Sequence, residues 1–346
     1  MQRFYKSTWM ISLLLFPYCL FSLNISYPTF QEEVLYPNSN PFHEEYLQVS
    51  SLHKIYVGEF GNPDGIPVVV VHGGPGGGCE PVWSSFFDPA VYRIVMFDQR
   101  GAKRSIPFAE MDQNTPQQLI KDMELLREHL GIERWYLFGG SWGSTLSLLY
   151  SESYPERVLG LVLRGIFLAR EKDYNHLFYG MRETLPEAWE EMVSAVGADP
   201  SGIDLIDVLH NQVMNPDPIS HLKAAHAFMR FDTRCAFLLP TQQIIDEIDN
   251  NDLDALGVAR PFIHYSKNGF FIDENQVLNS IKTIEHIPTI IVHGRYDIIC
   301  PVSQAFELHK SMPKSELWIV PDAGHASSEP SIKRALKVAM DHIRTK

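Results

Sequence analysis

Cysteine is scarce in this chain, with four residues in 346, no C-x-x-C pair and no paired Cys/His spacing. That excludes a disulfide framework and proposes no zinc site. Positive charge is short as well. Lys and Arg number 29 against 42 Asp and Glu, a net of −13, which repels nucleic acid and anionic lipid rather than attracting them. No internal period suggests a solenoid or a propeller. What is present is ordinary globular material: 45% hydrophobic, 12% aromatic and 21% charged residues, enough for one sizeable core but short for three domains.

The ends of the chain differ in character. Residues 1–23 carry Arg3 and Lys6, then an apolar run from Trp9 to Phe21 interrupted by Pro17. A basic flank before a short apolar stretch is the pattern of an export signal, and the uninterrupted part is short for a bilayer span. The expectation is an exported protein, secreted or periplasmic, with an uncleaved membrane anchor as the alternative. Ser22 is the best cleavage position, and Cys19 lacks the small residues that precede a lipidated cysteine. Removal of this segment leaves Cys79, Cys235 and Cys300, all expected to be unpaired, and 27 bases against 42 acids, a net of −15.

Residues 24–45 are polar and punctuated by Pro28, Pro37 and Pro41, which reads as an extended lead-in. Short apolar runs follow at 66–71 (IPVVVV), 92–97 (YRIVMF), 135–138 (WYLF), 158–163 (VLGLVL), 289–292 (TIIV) and 317–320 (LWIV), each stopping near Gly, Asp or Pro. Runs apolar on both faces, separated by helical patterns such as 115–130 and 144–154, predict an α/β fold with a mostly parallel sheet covered by helices on both sides. The rhythm fails over 169–286. There the pattern predicts helices at 187–196, 204–214, 219–238 and 241–248, so a helical cap is expected to interrupt a core made of 24–168 and 287–346.

Gly139-Gly140-Ser141-Trp142-Gly143 fits G-x-S-x-G and falls between a predicted strand and a predicted helix. The spacing suits a nucleophile elbow, because the turn is tight enough to strain the serine, and side chains at the flanking glycines would collide with the neighbouring helix or strand. A serine hydroxyl needs a base to take its proton and an acid to orient that base. Asp297 follows the strand at 289–292 and His325 follows the strand at 317–320. The order Ser141, Asp297, His325 is that of α/β-hydrolases. Asp322, three residues before His325, is a candidate turn cap, and His72 and His293 read as loop-bonding residues.

His72-Gly73-Gly74-Pro75-Gly76-Gly77-Gly78 directly follows the strand at 66–71. A phosphate cradle is the rival reading. The loop lacks the G-K-[ST] ending, although Asp98 stands where a dinucleotide domain wants an acid. With a nucleophile at Ser141 the loop is placed to supply a backbone N–H beside that of Trp142, and two such donors on a developing oxyanion lower the barrier by roughly several kcal/mol.

These motifs, with Asp98-Gln99-Arg100-Gly101, Leu163-Arg164-Gly165-Ile166-Phe167, Gly294-Arg295-Tyr296-Asp297 and Asp322-Ala323-Gly324-His325, make the chain similar to the proline iminopeptidases of the α/β-hydrolase superfamily from about Leu35 to the C-terminus. The resemblance implies a serine peptidase that removes N-terminal proline from short peptides without metal or cofactor. It implies Ser141, Asp297 and His325 as the triad, Gly74 and Trp142 as oxyanion donors, and Phe167 as lining for the proline ring.

Three departures bear on substrate. The family's W-x-x-W-E pattern aligns with Phe228-Met229-Arg230-Phe231-Asp232, so Asp232 would hold the substrate amine on a shorter arm. The acid of A-R-I-E-x-H-Y-F aligns with Phe262, with Glu247 as a candidate substitute. Loss of one carboxylate weakens amine recognition by about 2 kcal/mol, or roughly thirtyfold. Lys103 stands where the family usually has glycine. The leading reading is an exopeptidase. An esterase or amidase with a drifted pocket is the second, and a noncatalytic binding protein, against which the intact triad argues, is the third.

Overall fold

The computed structural model describes residues 24–30 and 33–346. The export-signal reading of residues 1–23 lies outside them. Among the described residues nine strands form one sheet: β1 (Ile25–Ser26), β2 (His43–Gln48), β3 (Lys54–Gly61), β4 (Ile66–Val71), β5 (Tyr92–Phe97), β6 (Trp135–Gly140), β7 (Val158–Arg164), β8 (Thr289–Gly294) and β9 (Glu316–Val320). Their spatial order is β1-β9-β8-β7-β6-β4-β5-β3-β2. All neighbouring pairs from β1 through β5 in that order are parallel, and β3 is antiparallel to both β5 and β2.

The strand interiors explain why the sequence shows no alternation. In β4, Val69 and Val71 join one core while Val68 and Val70 join the other, so both faces of the strand are buried. Helices α1 (Pro116–His129) and α2 (Trp142–Ser153) cover one face. The helix α11 that closes the other face, numbered in chain order, spans Pro330–Ile343 and buries Ile332, Ala335, Leu336, Ala339, Met340 and Ile343 as a single stripe of helical period.

Between β7 and β8 the chain makes helices and no strand: α3 (Glu171–Phe178), α4 (Pro186–Val196), α5 (Leu205–Val213), α6 (Pro218–Ala236), α7 (Gln242–Asp249), α8 (Asp252–Lys267) and α9 (Gln276–Ser280), with α10 (Val302–Ser311) following β8. The centre of this segment is α6 packed on α8, with α4 against α6 and α5 against α8. Helix α8 was not anticipated, because Pro261 in its middle reads as a breaker. The backbone makes use of that proline: Gly76 of the glycine loop packs directly on Gly257 and Pro261, where the missing N–H leaves the carbonyl four residues earlier without its helical donor.

The lead-in contributes β1 and the start of β2, and with β3 these strands were absent from the sequence reading. Glu59 hid β3: a charged residue inside a buried strand, held by Arg93 Nε at 2.6 Å. The charged residues of β2 protect the exposed sheet edge. The chain leaves β4 to form β5 on one side and β6 on the other, so the carboxyl ends of β4 and β6 open at a switch point, the usual place for a ligand crevice in such sheets.

Candidate active site

Ser141 stands at that switch point, between β6 and α2, with φ 56° and ψ −127°. The conformation is costly for a side chain bearing Cβ and persists because its surroundings over-determine it. Its N–H donates to the Arg164 carbonyl at 2.9 Å, and its own carbonyl accepts from Ser144 Oγ at 2.6 Å. A side chain at Gly143 would meet the carbonyls of Val71 and His72, so α2 can cross β4 this closely only with glycine there.

His325 Nδ1 lies 2.7 Å from Asp297 Oδ2, and Asp297 Oδ1 accepts the Cys300 N–H at 2.8 Å. Both side chains are largely buried. Burial pushes the Asp297 carboxyl up, but His325, His293 and the Cys300 N–H outweigh it and hold the acid below its ordinary range. The Arg164 guanidinium donates to the His325 carbonyl at 2.6 Å and secures the loop that carries the imidazole. Ser141 and His325 face one cavity of about 270 Å³ without a direct hydrogen bond between them. Contacts of this kind commonly tighten only around substrate.

Gly74, with φ 108°, turns the glycine loop over Ser141, and its N–H donates to no protein acceptor among the described residues. The Trp142 N–H, at the first position of α2, has no intrahelical partner. His72 pins the loop from below. Its Nε2 accepts the Gln99 N–H at 2.9 Å, and its Nδ1 lies 2.9 Å from the Gly73 carbonyl and 3.1 Å from the Gly78 N–H. Burial lowers its pKa to about 4, so it serves as a neutral strut. Gln99 Oε1 in turn receives Trp142 Nε1 at 3.0 Å, linking β5 to the start of α2. His293 is likewise fixed and neutral, accepting from Ile166 N–H and donating to the Cys300 carbonyl.

Asp98 is fully engaged inside the protein. Arg104 Nε and Nη2 reach it at 2.7 and 3.0 Å, and the Cys79 N–H at 2.7 Å, so no oxygen is left for a nucleotide ribose. Cys79, Cys235 and Cys300 are free and buried, and burial pushes the Cys79 thiol well up, away from reactivity. Among the described residues no group of three or more His, Cys, Asp or Glu is arranged to hold a metal ion, and no helix is long and apolar enough to cross a membrane.

The substrate-side residues divide. Asp232, on α6, faces the cavity with Ser141 and His325 and accepts no hydrogen bond among the described residues. Burial, opposed only in part by His325, raises its carboxyl to about 6. Phe262 faces the same cavity and is stacked on Phe228 with ring centroids 5.4 Å apart. Glu247 does not replace it: this residue receives Gln243 Nε2 at 3.2 Å on an outer groove. Phe167 is 5% exposed and packs edge-on against Phe270 at 5.0 Å, and Phe270 in turn meets the Phe262 ring at 5.9 Å. Glu80, Trp83, Met229, Val258 and Ile299 also line the cavity and were not anticipated. Glu80 had one signal, its place directly after the glycine loop, but a loop residue has no periodicity to show where it points.

Residues 66–330 match the α/β hydrolase fold family. A proline iminopeptidase of Arabidopsis thaliana is 44% identical over 315 residues, covering 90% of this chain and 83% of its own. A proline iminopeptidase of Xylella fastidiosa strain Temecula1 is 44% identical over 309 residues, covering 89% and 98%. Among solved structures, the proline iminopeptidase of Mycobacterium smegmatis superposes with a TM-score of 0.59 at 20% identity over 88% of this chain and 98% of that one. An esterase of Exiguobacterium antarcticum superposes with 0.60 at 19% identity over 87% and 100%. At such identities the structures share the fold alone.

Proposed function

This chain belongs to the proline iminopeptidase family of the α/β-hydrolase fold, and we propose that it is a serine exopeptidase that releases proline from the amino terminus of short peptides. The observation that carries the reading is Asp232, an unpaired carboxylate in the cavity of Ser141 and His325. A triad alone serves esterases as well, whereas an exopeptidase must pair the ammonium it takes out of water.

Ser141 Oγ attacks the prolyl carbonyl while His325 accepts its proton, and Asp297 holds the imidazole in the tautomer that leaves Nε2 free. The oxyanion forms between the N–H groups of Gly74 and Trp142, which are fixed before substrate arrives and need no reorganisation. His325 then returns the proton to the departing amine. Water, deprotonated by the same imidazole, cleaves the prolyl ester and restores Ser141.

Phe262 favours a second reading, an esterase or amidase of wider acyl range, because an apolar wall replaces an acid. Steady-state kinetics on proline arylamide, alanine arylamide and a simple aryl ester separate the two. Preference for proline arylamide supports the exopeptidase, and turnover of the ester alone overturns it. Export rests on Arg3, Lys6 and the apolar run of residues 1–23. N-terminal sequencing of the protein from its native host tests it, with a start near residue 23 expected.

A further inference from the structure

The cavity that opens on Ser141 carries a second acid besides Asp232. Glu80 follows the glycine loop and faces the cavity together with Trp83. Its carboxylate pairs with the ammonium of Lys103, which also lies 3.8 Å from Asp254 at the start of α8. Lys103 holds φ 37°, a conformation that favours glycine, and its alkyl stem covers Gly78. A strained lysine is thus kept where it ties the glycine loop to the helical segment. The three charges sum to one negative unit. Glu80 and Asp254 keep 46% and 45% of their side-chain surface, so the field reaches solvent at this end. Arg104, the other cation of the loop, is neutralised by Asp98.

Asp232 and Glu80 do not share a task. Asp232 projects from α6 beside Phe228 and Met229, whereas Glu80 follows the glycine loop and is bound to Lys103. Glu80 is already paired and Asp232 is not, so the substrate ammonium falls to Asp232. With the amine at Asp232 and the scissile carbonyl at Ser141, Glu80 is the remaining acid of the cavity lining for the part of the peptide beyond that carbonyl.

Resting on the exopeptidase reading, we infer that Glu80, set by Lys103 and Asp254, is a specificity-determining residue for the residue after proline and selects a cationic side chain over an acidic one. Trp83 gives the stem of that side chain an apolar platform.

The test is proline release from Pro-Lys-amide and Pro-Glu-amide, substrates without a terminal carboxylate, at low ionic strength. The wild-type protein is expected to favour Pro-Lys-amide in kcat/KM by about fivefold, the scale of a half-exposed charge pair. Glu80→Gln brings the ratio close to one. Lys103→Met, which frees both acids, raises it severalfold, and 0.5 M salt collapses it in every variant. The opposite signs of the two variants separate a charge effect from damage to the loop. An equal ratio in wild type and Glu80→Gln, or a wild-type preference for Pro-Glu-amide, overturns the inference while proline release still upholds the exopeptidase. Absence of proline release from both substrates overturns the exopeptidase reading and the inference with it.

Discussion

Asp297 divides its carboxylate between two partners: Oδ2 lies 2.7 Å from Nδ1 of His325, and Oδ1 takes the Cys300 N–H at 2.8 Å. The acid is anchored by one oxygen so that the other can fix the imidazole. With Nδ1 protonated by this contact, Nε2 is the nitrogen left to face the cavity and accept a proton.

Asp297→Asn should therefore preserve the fold and lose the tautomer. We expect kcat on proline arylamide to fall by roughly 10³- to 10⁴-fold with KM changed little. Steady-state kinetics beside a thermal melt check this, and a fall under tenfold would exclude Asp297 as the group that fixes the His325 tautomer.

The raised carboxyl of Asp232 predicts an acid limb for amine recognition. The group is ionised above about pH 6 and neutral below it, so kcat/KM on proline arylamide should decline as pH falls through about 6. In Asp232→Asn that substrate should be processed at least tenfold less well at pH 8, and the difference from wild type should vanish toward pH 5. A wild-type to variant ratio that stays constant over pH 5 to 8 would remove Asp232 from amine recognition.

The same residue should cost stability. Its folded pKa, about 6, stands above the ordinary aspartate value of 3.8, so its contribution favours the folded state most below pH 4 and is lost as pH rises through 6. A shift of this size corresponds to about 3 kcal/mol. Asp232→Asn is expected to raise the melting temperature at pH 8 and leave it nearly unchanged at pH 4. Denaturation at the two pH values tests this, and equal shifts at both would contradict it.

Phe262→Glu should trade packing for recognition. Phe262 touches the rings of Phe178, Phe228 and Phe270, and removing it is expected to destabilise the helical segment by about 3 kcal/mol. A carboxylate on this wall should lower KM for proline arylamide about tenfold at pH 8. Unchanged KM in the folded variant would show that position 262 does not meet the amine.

The sequence alone determined six strands of the sheet, the strained turn at Ser141 and the order of Ser141, Asp297 and His325 along the chain. Strands buried on both faces appear as unbroken apolar runs such as 66–71, and a turn as crowded as that at Ser141 tolerates little but glycine around it, so both write themselves into a linear pattern. Local chemistry concealed other elements: Glu59 masked β3 and Pro261 masked α8, because each satisfies its anomaly through a partner elsewhere in the chain. Only the tertiary structure decided which side chains reach the cavity. Phe262 presents its ring to it, Asp98 is consumed by Arg104, Glu247 faces outward, and Glu80 stands on the wall beside the glycine loop. Direction and pairing across tens or hundreds of residues follow from how the sheet and the helical segment pack, and no spacing within a single segment encodes them.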